Sequence, residues 1–387
     1  MSVPDLAAMA RGEPMLGEEI LSEAKRQMEV CNACRYCEGF CAVFPAMALR
    51  REFTSGDLTY LANLCHNCKG CFYACQYAPP HPFGVNVPAT FAQVRQDSYQ
   101  RYAWPGAFAR AYERQGTALT GLAALGVAAI LLLTGAIHGG NMFTPQSGTG
   151  AFYRILPWAV MAGLAGAAFL FALLALTVAG VRFWRDTASG GGYKPADGVR
   201  AGVNVATLRY LGGGHEGHDG CNDTDGGFSQ QRRVYHHFMF YGFLACFAST
   251  SVATIYDHFL AWEAPYPLLS LPVLLGLVGG IGLLIGTTGL IVLKAIADPA
   301  PVAQRLRSGE YALLFLLQQV ALTGLLLLAL RETAALGVLV AVHLGLVLAF
   351  FLAIPYSKMV HGLYRGLALL RSAREQRTGS TLAGGVA

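Results

Sequence analysis

Two cysteine runs near the start of the chain limit what it can fold into more than any other feature. Cys31-Asn-Ala-Cys34-Arg-Tyr-Cys37-Glu-Gly-Phe-Cys41 and Cys65-His-Asn-Cys68-Lys-Gly-Cys71-Phe-Tyr-Ala-Cys75 both read C-x2-C-x2-C-x3-C. This is the ligand spacing of two-cluster ferredoxins, where the fourth thiolate of each run serves the other cluster. Three closely spaced thiolates on a tight turn reach three corners of one cubane, and the fourth points away. The spacing therefore predicts one [4Fe–4S] cluster on Cys31, Cys34, Cys37 and Cys75, and a second on Cys65, Cys68, Cys71 and Cys41. Neither is complete without the opposite run, so ligation would fold the runs together. Zinc sites also use paired cysteines, but they stop at four ligands. Disulfides do not suit the reducing compartment that the charge distribution indicates. Pro45 and Pro79 each lie four residues beyond a fourth cysteine rather than directly after it, which bears on the local turn and not on ligation.

The rest of the chain is of a different character. It is 54% hydrophobic and 13% charged, against about 25% charged for a soluble domain. Six apolar stretches, each near the ~20 residues that cross a bilayer as helix, run about 118–137, 158–181, 238–259, 268–293, 311–330 and 334–354. Lysine and arginine collect before the first, between the second and third, between the fourth and fifth, and after the sixth. The alternate loops hold little more than Arg154 and Arg331. By the positive-inside rule both termini and the cysteine head are cytoplasmic. Met1–Leu21 has acidic residues and no sustained apolar core, so no cleavable signal peptide is expected. No basic tract suggests nucleic acid.

The expected fold is mainly α: a ferredoxin-like head carrying two [4Fe–4S] clusters (1–115), then a six-helix transmembrane bundle (116–372) with a long loop at 186–231, and a tail at 373–387. A helix from about Met15 to Val30 should feed the first run, and a spacer over Phe44–Leu64 should break at Gly56-Asp57. The aromatic and arginine residues of Val87–Arg114 suit either the headgroup level or packing beneath the head. In the long loop, His215-x2-His218-x2-Cys221 lacks a fourth ligand for a metal. Gly212-x-Gly214-x-x-Gly217 opens no apolar helix, which rules out a dinucleotide fingerprint. With no flavin or nicotinamide site in view, the chain has no means of oxidising an organic substrate by itself.

Ionisable groups within spans are costly and mark function. His236, His237, His258, His343 and His361 stand in or at the ends of the third and sixth stretches. Neutral imidazole is the usual axial ligand of haem iron. His343 and His361 are 18 residues apart, whole turns at ~3.6 per turn if one helix carries both. His236 and His258 are 22 apart, close to six turns. Antiparallel third and sixth spans would then pair His258 with His343 on the outer side and His361 with His236 or His237 on the inner side, for one or two b haems.

The cysteine runs, Tyr77-Ala-Pro-Pro-His81, Arg232-Arg233-x2-His236-His237-Phe238, Ser270-Leu-Pro-Val-Leu-Leu-Gly276 and Ile354-Pro-Tyr-Ser-Lys-Met-Val-His361 together resemble the tricarballylate-utilisation protein B, or CitB, family across nearly the whole chain. The last element is also similar to the haem-helix ending of nitrate reductase gamma chains. The resemblance implies an inner-membrane protein that reoxidises an FAD-containing dehydrogenase of the tricarballylate type and reduces membrane quinone. Related modules serve a flavoprotein of cobalamin synthesis, and a membrane-anchored iron–sulfur sensor is the reading from another class.

Overall fold

The structure is a computed structural model that describes residues 17–112, 115–188, 190–212 and 220–379. His215 and His218 lie outside the described residues, as do Gly214, Gly217 and Arg114. The described residues are helical throughout, with no strand beyond one bridge between Cys221 and Ser229.

The head begins with α1 (Gly17–Cys34), which buries Ile20, Ala24 and Met28 on one stripe and packs on α5 (Val87–Tyr102). Gln27 ties the two, donating to the Thr90 hydroxyl at 2.9 Å and accepting from the Asn86 amide at 3.2 Å. Between the runs stand α2 (Val43–Ala48) and α3 (Ser55–Leu64). Their break precedes Gly56-Asp57, because Thr54 and Asp57 form a capping box that starts α3. The short helix α4 (Gly70–Tyr73) follows within the second run. Tyr99 and Tyr102 of α5 are buried against Phe183 and Tyr364, whereas Phe108 further along the stretch is exposed. A short helix α6 (Gly106–Ala111) leads to the bundle.

Six helices are long and apolar enough to cross a membrane, so this is a membrane protein. They are α7 (Gln115–His138), α9 (Trp158–Thr187), α11 (Gln231–Leu260), α12 (Leu271–Ile296), α13 (Arg307–Ala329) and α14 (Leu336–Ala353); α8 (Ala151–Ile155) and α10 (Pro195–Ala206) are short. Small residues let backbones approach. A Cβ on Gly279 of α12 would lie 2.7 Å from the Cys246 nitrogen of α11, and one on Gly345 of α14 would lie 2.7 Å from the Gly126 carbonyl of α7. Helix α11 thus pairs with α12, while α14 packs against α7, α9 and α13.

Helix α15 (His361–Thr378) leaves the bundle and docks on the head. Pro355 follows the end of α14, and a turn separates it from α15. His343 and His361 therefore do not share a helix, and their whole-turn spacing carries no geometric meaning. The long loop after α9 contains α10, packed on α15, and a segment at Cys221–Asp223 folded onto the second cysteine run.

All these pieces meet at one end of the bundle. The Tyr73 hydroxyl donates to Asp298 at 2.5 Å and Asn86 donates to the Ala300 carbonyl at 2.9 Å, so the loop between α12 and α13 touches the head too. Tyr364 of α15 stacks between Phe183 of α9 at 4.8 Å and Tyr99 of α5 at 5.5 Å. The head, the loop between α12 and α13, and α15 share this side.

Candidate metal centres

The two runs do cross. Cys31 and Cys34 sit in the last turn of α1, three residues apart and hence on one face. Arg35 ends the helix in the left-handed region at φ 56°. A cavity of about 190 Å³ is lined by Cys31, Cys34, Cys37 and, from the other run, Cys71 and Cys75. A tighter one of about 20 Å³ is lined by Cys65, Cys68 and Cys71 with Cys41 from the first run. Burial drives the Cys31 thiol up to about 12, with Cys75, Cys37 and Cys34 adding to it. Burial likewise raises Cys41, whose thiol neighbours are Cys68 and Cys65. Each set of four is thus three thiols of one run and one of the other.

Among the described residues no three such side chains converge tightly enough for a single ion. A lone metal needs sulfur at about 2.3 Å from one point, whereas a cubane holds its thiolates around a volume, which is what the sets enclose. Crowded buried thiols resist ionisation unless metal takes their charge. Backbone amides are aimed at them as well: those of Val43 and Phe44 bond Cys41, and that of Gly70 bonds Cys68. Asn67 and Lys69 adopt φ of 58° and 68°, which curls the second run around its sulfurs. The donor set fits an iron–sulfur cluster.

The second run is bound to the membrane helices. Arg232, in the first turn of α11, donates to the Asn67 carbonyl at 2.6 Å, and Arg365 of α15 donates to the Cys65 carbonyl at 2.9 Å. His236 is one turn beyond Arg232, and His361 is one turn before Arg365. Their ring planes are near perpendicular, at 83°, with centroids 6.2 Å apart. Two imidazoles sharing one iron need about this separation, with metal–nitrogen bonds of about 2 Å and ring radii of about 1.1 Å for bonds near 1.35 Å. His361 Nδ1 contacts the Lys358 carbonyl at 2.5 Å, which fixes its tautomer and leaves Nε2 as the lone pair. Burial and the Arg365 charge keep this ring neutral. His236 Nδ1 is buried with no hydrogen-bond partner among the described residues. The pair fits a haem iron.

Two family models match the chain: Citrate utilization protein B over residues 111–381, and Citrate utilization protein B Fer4-like domain over residues 24–101. A curated relative from Escherichia coli, described as Citrate utilization protein B, is 48% identical over 358 residues, covering 92% of this chain and 93% of that protein. The chain belongs to the citrate utilization protein B family. No solved structure matches it significantly.

Among the described residues, His237, His258 and His343 each face a different neighbour. His237 stacks on Tyr241 at 5.9 Å, whose hydroxyl donates to the Ala206 carbonyl at 2.7 Å, so His237 faces α10 and not α15. His258 is exposed and stacks on Trp158 of α9 at 5.1 Å. His343 faces α13, with Nδ1 3.0 Å from the Thr323 hydroxyl and its ring against Gly324. The structure does not bring His258 and His343 together: packing turns them to different neighbours.

Residues that sequence reasoning passed over complete the site. Asn222 donates its amide to the Cys68 carbonyl at 2.9 Å, Lys69 Nζ donates to the Asp223 carbonyl at 3.1 Å, and the Cys221 thiol donates to the Leu211 carbonyl at 3.3 Å. This segment lids the second set. Its signal in the sequence was a ninth cysteine in an otherwise cysteine-free loop.

Proposed function

We propose that this chain is a membrane redox subunit, passing electrons from a reduced cytoplasmic flavoprotein of the tricarboxylate-oxidising type to the quinone pool. Cys31, Cys34, Cys37 and Cys75 would hold one [4Fe–4S] cluster, Cys41, Cys65, Cys68 and Cys71 a second, and His236 with His361 one b haem. These groups, when bound, carry electrons singly, which is what dividing a flavin's pair requires. The observation that carries the reading is the physical join between the two metal sites. Arg232 and Arg365 each grip the second cysteine run and stand one turn from the facing histidines.

The chain's own residues do the positioning. Arg35, Tyr36 and Gln76 border the first cavity, and Tyr36 is 68% exposed, which leaves a face for a donor protein. The Cys221–Asp223 segment and three helices cover the second set instead. The basic end of the bundle carries the head, which by the positive-inside rule faces the bacterial cytoplasm across the inner membrane. The partner's substrate belongs to the tricarballylate and citrate class named for the family.

The test is anaerobic purification of the full chain with iron, sulfide and haem analysis, followed by quinone reduction with a tricarballylate-type flavoprotein dehydrogenase and a tricarboxylate. Eight non-haem irons, one haem and turnover with a soluble quinone analogue are expected. A protein with four irons and no haem absorption, at full occupancy, overturns it.

A further inference from the structure

The loop holding the second thiol set is ringed by more positive charge than its surroundings neutralise. Arg95 Nη1 donates to the carbonyls of Ala62 at 2.9 Å and Cys65 at 3.2 Å. Arg365 Nη2 donates to the Cys65 carbonyl, while its Nε is buried with no hydrogen-bond partner. Arg232 grips Asn67 and His66, and Lys69 grips the Asp223 carbonyl. Among the described residues, the carboxylate paired with any of these four cations is that of Asp223, 3.9 Å from Arg232. Arg95 and Lys69 are 6% and 4% exposed, so water and salt screen them little. Bonds to neutral carbonyls fix these side chains and leave their charge uncancelled. Among the described residues the cation bordering the first cavity is Arg35, which is exposed to solvent and so screened, its Nε donating to the Asn32 carbonyl at 3.0 Å.

We propose that Arg95, Arg232, Arg365 and Lys69 hold the centre on Cys41, Cys65, Cys68 and Cys71 at a higher reduction potential than the centre on Cys31, Cys34, Cys37 and Cys75. This rests on the two-cluster reading above. Four thiolates around a core of charge 2+ sum to 2−, and one electron from a flavoprotein, or from dithionite in a titration, makes 3−. Fixed positive charge in a low-dielectric shell stabilises the reduced form more than the oxidised one. The first centre, bordered by the exposed Tyr36, is then the entry, the second centre is the lower-energy stop, and electrons drain towards His236 and His361 rather than back to the donor.

The experiment is an EPR-monitored redox titration of the full chain, purified anaerobically. Wild type should show two cluster couples at different potentials. Arg365→Gln keeps a donor for the Cys65 carbonyl but loses the charge. It should shift the higher couple downward by at least tenfold in its reduced-to-oxidised ratio, about 59 mV for one electron, and leave the lower couple in place. Arg365→Lys, which keeps the charge, should hold the higher couple near wild type. Cys34→Ala, altering the first set, should spare the couple that Arg365→Gln moves. The proposal is overturned if Arg365→Gln moves neither couple or both alike, if Arg365→Lys moves it as far as Gln, or if the moved couple is the one that Cys34→Ala removes. Should Arg365→Gln fail to take up iron, Arg232→Gln is read by the same criteria. A wild-type protein without two cluster signals would sink the underlying reading instead.

Discussion

Replacing Glu375 should release the helix that carries His361 and Arg365. Glu375 lies near the end of α15 and is 10% exposed. Its Oε1 accepts from Arg50 at 2.7 Å and Arg371 at 2.9 Å, and its Oε2 accepts from the Tyr60 hydroxyl at 3.0 Å. Both guanidinium groups lie over the Tyr60 ring, 4.9 and 4.0 Å from its centre. Asp57 is the second carboxylate, accepting from Arg50 and Arg371 on one oxygen. Two cations thus balance two carboxylates at the seam between head and tail. Glu375→Ala leaves both cations on Asp57 alone. Removing one member of a buried pair costs about 3–5 kcal/mol; because Asp57 still serves both arginines, about 2–3 kcal/mol is the better figure here. At 1.36 kcal/mol per tenfold, undocking becomes roughly 30- to 150-fold more populated. Limited trypsin digestion reads this directly, since Arg371 and Arg374 are 5% and 6% exposed while docked. When opening is fast relative to cleavage, the rate follows the open population. Release of the C-terminal fragment, timed by mass spectrometry, should accelerate by that factor. Glu29→Ala, in an exposed pair with Lys25, should change nothing. An acceleration below threefold for Glu375→Ala would refute the reasoning.

His236→Ala and His361→Ala should each abolish the haem spectrum, measured as pyridine haemochrome, whereas His258→Ala and His343→Ala should keep it. Gly279→Ala places a methyl group against the Cys246 nitrogen and the Gly242 carbonyl at 2.7 and 2.8 Å. The strain of about 1–3 kcal/mol should lower the melting temperature in detergent, visible by static light scattering. The seam should also loosen in acid. Burial alone would raise the Asp57 carboxyl, but hydrogen bonds from Arg50 and Thr54 and the charges of Arg50 and Arg371 hold it below 3.8. A depressed folded value means the stabilisation is complete above the unfolded one and lost as pH falls through the folded one. Docking of α15, followed by hydrogen exchange of its amides, should be flat from neutrality to about pH 5 and weaken below 3.8; an unchanged profile there contradicts the assignment.

The cysteine runs were legible because a cubane demands its ligands at short, fixed spacing, and that demand is written locally. The six spans were legible because a bilayer asks for length and apolarity, which composition supplies. Where a helix ended was harder to see. The interval between His343 and His361 looked like whole turns, yet Pro355 interrupts it, and a helical count means nothing across a break. The ordering of the loop at 186–231 could not be read from its glycine and acidic residues, which carry no period. Its ordering comes from contacts with residues far away in sequence, such as the Cys68 carbonyl and Arg377, which donates to Asp197 at 2.7 Å.

Sequence alone determined which chemistry is present: eight thiols in two runs, six greasy helices, and a handful of imidazoles among them. Tertiary structure decided which of these meet. His236 rather than His237 faces His361, His258 turns to Trp158, and His343 turns to Thr323. Side-chain direction depends on how helices rotate and pack against one another, and that is fixed by close approaches such as Gly279 on Cys246, between residues 33 positions apart. The ring of cations on the second run is likewise assembled from three helices and the run itself, so no stretch of sequence displays it.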